Sequence, residues 1–124
     1  MATVTIFNQP ANLLAQLIGG PGRQDYAPTY AATMALDLAN NSYCFINGLN
    51  SVSATSTVTA TTGGVLGQEN AVMVKDTGGV TVTFSTNFKV SATVNPTNGK
   101  TITVFFMSNG TNWVETGRSS AITH

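Results

Sequence analysis

At 124 residues, with five Lys/Arg against five Asp/Glu, the chain has no net charge and only 8 % charged residues, against roughly 25 % in an ordinary globular domain. That length suits one domain with a core that needs no disulfide or metal staple; the cations Arg23, Lys75, Lys89, Lys100 and Arg118 form no run, which argues against the basic patch that nucleic-acid binding requires. Disorder is excluded too, because 42 % of the residues are hydrophobic and disordered chains combine low hydrophobicity with high net charge.

Residues 1–28 read as an arm and residues 29–124 as a β domain. Thr3 to Phe7 alternates weakly as a short strand. Asn8-Gln9-Pro10 offers a helix start, with Pro10 suited to the first helical position, and Leu13, Leu14, Leu17 and Ile18 then share one helical face. Gly19-Gly20-Pro21-Gly22 ends the element. A helix of one to two turns is unstable alone, so this one is expected to dock, either on its own domain or on a neighbour. No basic n-region or long apolar core marks a signal peptide, and the cluster from Leu13 to Ile18 is far too short to span a bilayer. Synthesis in the cytoplasm and no membrane partner are the expectation.

From Tyr30 the period becomes two. Tyr30, Ala32, Met34, Leu36 and Leu38 share one face of a predicted strand, Asn40-Asn41 turns, and Ser42 to Leu49 returns. Ser51 to Thr61 follows, rich in the β-branched residues that fit a pleated surface. Gly63-Gly64 and Gly67 to Asn70 form a loop, Ala71 to Lys75 a compact apolar strand, and Asp76-Thr77-Gly78-Gly79 a turn. Val80, Val82 and Phe84 alternate with threonines, and Asn87 to Asn95 carries Phe88, Val90, Ala92 and Val94 on one face. Pro96-Thr97-Asn98-Gly99 is a further turn. About eight strands at such spacing predict an all-β fold, an antiparallel sandwich or jelly-roll-like domain, with no visible 20–50-residue repeat to suggest a solenoid.

The chain closes on Phe105-Phe106-Met107-Ser108-Asn109-Gly110-Thr111-Asn112-Trp113-Val114-Glu115. Asn-Gly favours a two-residue turn, with positive φ at both central positions. This hairpin, with its Gly-Thr-Asn-Trp-Val-Glu run and a short Arg-Ser tail, resembles the terminal hairpin of small virion proteins of tailed bacteriophages, among them capsid decoration proteins and tail-fibre tips. The resemblance implies a homotrimer on the capsid surface that braces neighbouring subunits of the major capsid protein. A cement protein of that kind would use an apolar arm, which makes Ile6, Phe7, Leu13, Leu14, Leu17 and Ile18 the candidate capsid or subunit contacts. The alternative is a receptor- or glycan-binding module of a tail or head fibre, with Trp113 stacking on a sugar between Asn109 and Asn112. Against that, the preferred reading is that Trp113 buries its ring on Phe105 or Val114 and caps the core.

Residue chemistry points away from an enzyme. The single histidine is His124, the last residue, where a catalytic triad would lack orientation. Asp25, Asp37, Glu69, Asp76 and Glu115 are scattered and each has a structural reading: Asp37 on a solvent-facing position, Asp76 opening a turn, Glu115 facing outward on the last hairpin. Cys44, the only cysteine, lies between Tyr43 and Phe45 and reads as a small buried hydrophobe. No cluster suits a metal, and the glycine pairs precede strands, where a phosphate loop needs a helix N-terminus. No cofactor is expected.

Overall fold

A computed structural model of the chain describes residues 26–48, 55–76, 79–97 and 99–123. Within them lie nine strands: β1 (Thr33–Leu36), β2 (Cys44–Asn47), β3 (Thr55–Ala60), β4 (Glu69–Lys75), β5 (Thr81–Phe84), β6 (Phe88–Lys89), β7 (Lys100–Ser108), β8 (Trp113–Arg118) and β9 (Ile122–Thr123). The expected N-terminal strand, short helix and Gly/Pro hinge, together with Val52, Ala54 and His124, lie outside the described residues.

The fold is all-β and two-layered. β1, β3 and β5 form one sheet, and β2-β4-β7-β8-β6 forms a second, with β9 paired to β7. Period-two alternation sends Met34, Leu36, Val58, Ala60, Val82 and Phe84 inward from the small sheet, and Cys44, Ile46, Val72, Val74, Val104, Phe106 and Trp113 inward from the large one, into a single buried cluster. Phe84, Phe88 and Phe106 meet at its centre, with ring centroids 4.8–5.5 Å apart in edge-on and tilted arrangements, which suits the quadrupoles of the rings.

The pairing is mixed rather than antiparallel as expected. β1–β3, β3–β5, β2–β4 and β6–β8 are parallel; β4–β7, β7–β8 and β7–β9 are antiparallel. The reason lies in the connections. From β1 to β5 successive strands do not fold back as hairpins but cross to the opposite sheet, so within this stretch a strand pairs with the next-but-one, running the same way. A crossover of a dozen or more residues is what parallel pairing demands; for β1–β3, β2–β4 and β3–β5 the intervening strand of the other sheet supplies it, and for β6–β8 it is β7 of the same sheet. Thr33 lies beside Thr57, Val58 beside Phe84 and Cys44 beside Val72, 24, 26 and 28 residues apart. The first five strands therefore wind as a short coil, which uneven spacing and the lack of repeated sequence concealed. The antiparallel β7–β8 hairpin closes it.

Polar side chains pin the crossovers. Buried Asn70 donates to the carbonyls of Leu38 (2.9 Å) and Asn41 (2.7 Å) and so holds the β1–β2 turn against β4. Asp76 is buried and accepts from the Gly79 and Val80 amides. Tyr26 joins the edge of β2, its carbonyl accepting from Phe45 N at 2.9 Å and its hydroxyl from Asp37 N at 2.8 Å.

Candidate functional site

The C-terminal hairpin departs from the expected two-residue turn. Ser108 pairs with Trp113, so the loop is the four residues 109–112. Asn109 keeps a negative φ, and Gly110 alone adopts the left-handed region, at φ 90°. The Asn109 side chain accepts from the amides of Thr111 (2.9 Å) and Asn112 (2.8 Å). Its carboxamide thus substitutes for the main-chain turn, as Asx side chains do.

Trp113 is fully buried. Its indole N–H donates to the Thr62 carbonyl at 2.9 Å, and its own amide donates to Asn87 O at 2.8 Å. The ring lies under Gly64 and not against Phe105, which points outward and is 47 % exposed. A Cβ on Gly64 would stand 2.6 Å from the ring, and one on Gly63 would strike the Thr111 backbone; these two glycines exist so that the loop can lie flat on the hairpin. Ser108 Oγ bridges the same contact, donating to Gly63 O and accepting from Gly110 N. With its ring enclosed, Trp113 offers no face to a sugar, and Asn109 and Asn112 flank a turn rather than a stacking platform.

Glu115 is another departure. It does not face solvent but forms a two-pronged pair with Arg118, whose Nε and Nη2 each lie 2.8 Å from a carboxylate oxygen. Ser91 donates to the same carboxylate from N and Oγ, and Arg118 donates onward to the carbonyls of Ala92 and Thr93. The Arg118 hydrogen bond holds the Glu115 carboxyl down to about 2. This cluster also explains why the strand expected over Asn87 to Asn95 is only β6. Asn87 takes a positive φ of 68°, the chain bends at Ser91 and Ala92 to serve the ion pair, and Val94 then bridges to Val82.

Among the described residues no three His, Cys, Asp or Glu side chains come together, and burial pushes the Cys44 thiol up to about 12, far from a thiolate. No helix among them is long and apolar enough to cross a membrane.

What the structure does present is the outer face of the large sheet. β4 alternates in burial so that Glu69, Ala71, Met73 and Lys75 point outward. The register sets Phe45, Met73 and Thr103 in one row across β2, β4 and β7, Ala71 and Phe105 in the next, and Glu69, Met107 and Val114 in a third. Met73, Phe105 and Met107 are 41 %, 47 % and 39 % exposed, and Tyr43, Ala71, Met73, Thr103 and Phe105 line a shallow groove of about 460 Å³. A second groove of about 290 Å³ between Tyr26, Ala27, Tyr43, Phe45 and Met73 continues it. These side chains make a contiguous apolar patch on the outer face of the sheet. Its residues were missed in the sequence although a signal was present: Val72-Met73-Val74 and Val104-Phe105-Phe106-Met107 are unbroken apolar runs, which mean that both faces of a strand are apolar. The arm residues Ile6, Phe7, Leu13, Leu14, Leu17 and Ile18 lie outside the described residues.

No protein-family model matches the chain, and no curated protein is similar to it.

Proposed function

We propose that this chain is a non-enzymatic structural protein of a phage virion that decorates the capsid and braces neighbouring capsid subunits. The observation that carries this reading is the apolar outer face of β2, β4 and β7, on a domain whose Glu115–Arg118 cluster is engaged in holding the fold. Such a domain offers surface, and surface is what a cement protein supplies. Low charge supports the same reading, since contacts built from Thr, Ser, Asn and aliphatic groups avoid the desolvation cost of buried ions, and near-zero net charge favours association. The terminal hairpin carries the resemblance to virion proteins. The enclosed indole of Trp113 removes the main support for a glycan-binding module.

The arm residues Ile6, Phe7, Leu13, Leu14, Leu17 and Ile18 are the proposed capsid contacts. Deleting residues 1–22 is expected to leave a folded β domain that no longer occupies capsids, measured as copies bound per particle after sedimentation. Full occupancy by the truncated chain would remove the arm from the account.

A further inference from the structure

The outer face of the large sheet has opposite charges at its two ends. Glu69 opens β4 and Lys75 closes it, both on the outward side, and the salt bridge found among the described residues, Arg118–Glu115, involves neither. Between them lie Ala71 and Met73, flanked on β7 by Phe105 and Thr103 in the opposite order of size: small Ala71 sits beside large Phe105, and large Met73 beside small Thr103.

We propose that a second copy of this chain docks on this face, sheet on sheet, about a two-fold axis that crosses β4 at Val72. Two sheets stacked about 10 Å apart and related by a two-fold axis in the plane between them have two simple arrangements. An axis along the strands places Glu69 over Glu69, Lys75 over Lys75 and Met73 over Met73, which opposes like charges and stacks bulk on bulk. An axis across the strands reverses β4 on itself. Glu69 then faces the second copy's Lys75 at both ends, Met73 fills the space over its Ala71, and Phe105 covers its Thr103. Charge and volume favour the same arrangement, as a self-complementary isologous contact requires.

Three strands about 4.8 Å apart and seven residues long bound a few hundred Å² per copy, below the size of a standard stable interface. The pairing therefore belongs to the weak class, significant at high local concentration. It is a property of the isolated protein and needs no particle, so it stands or falls separately from capsid decoration.

Sedimentation equilibrium of the full chain, from about 10 to 500 µM, tests it. The expected mass rises from 12.9 kDa toward twice that value. Glu69→Lys or Lys75→Glu alone is expected to raise the dissociation constant about tenfold, since each change acts twice across the two-fold. The double exchange Glu69→Lys with Lys75→Glu is expected to restore it to within about threefold. Both side chains are on the surface, and unchanged circular dichroism verifies folding of each variant. A single-chain mass throughout, a three-copy mass, or a dimer indifferent to the exchanges would overturn the proposal. A single-chain mass with Met73 protected from peroxide would also overturn it and give the face to the chain's own N-terminal residues.

Discussion

At the scale of single residues, two positions carry more of the fold than their neighbours. Gly64 has φ 77° and no room for a Cβ beside Trp113, whereas Gly67, at φ 84°, faces open space. Gly64→Ala is expected to cost at least about 3 kcal/mol and Gly67→Ala only about 1–2 kcal/mol, the left-handed penalty alone; urea denaturation separates them, and equal losses would mean that the loop does not lie on the indole. Glu115 has its folded pKa depressed to about 2 from an ordinary 4.5, so its contribution is present above 4.5 and disappears as pH falls through 2. Glu115→Gln should accordingly lose about 1–2 kcal/mol at pH 7, a deficit that narrows as the pH falls toward 2 and closes below it, and a deficit that stays constant in acid would assign the loss to packing. Burial of Trp113 was one of two readings open in the sequence, but its partner was not legible. Thr62 lies 51 residues away, and only the closed coil brings that loop to the hairpin. Glu115 was misread as solvent-facing for the same reason, because its partners Ser91 and Arg118 converge only after the chain bends.

At the scale of elements, alternation located most strands that the structure describes, since inward residues such as Val80, Val82 and Phe84 declare a half-buried strand locally. Direction was not legible. Whether a turn leads back along the same sheet or across to the other depends on side chains such as Asn70 reaching over 29–32 residues to hold the crossover. The hairpin loop failed differently, in that Asn109 uses its side chain where the expected turn uses a positive φ. The topology has a kinetic and dynamic consequence. β7 has partners on both sides along its length, β4 and β8 with β9, whereas β6 and β9 are two-residue strands. Amide exchange is expected to be slowest in β4 and β7 and fastest in β6 and β9. Uniformly fast exchange in β7 would contradict the sheet order.

At the scale of the whole molecule, the chain combines a sealed two-layer core with a surface poor in charge and an apolar sheet face. Among the described residues, the apolar face belongs to the sheet that the hairpin completes. The account's central claim is that this domain serves as a building part of a virion. Electron microscopy of particles from cells making the protein, labelled with an antibody against it, tests that claim most directly. Regular labelling over the entire head is the predicted result. Labelling confined to the tail tip or to sparse fibres would contradict capsid decoration and move the function to host recognition, and unlabelled particles would contradict the virion role altogether.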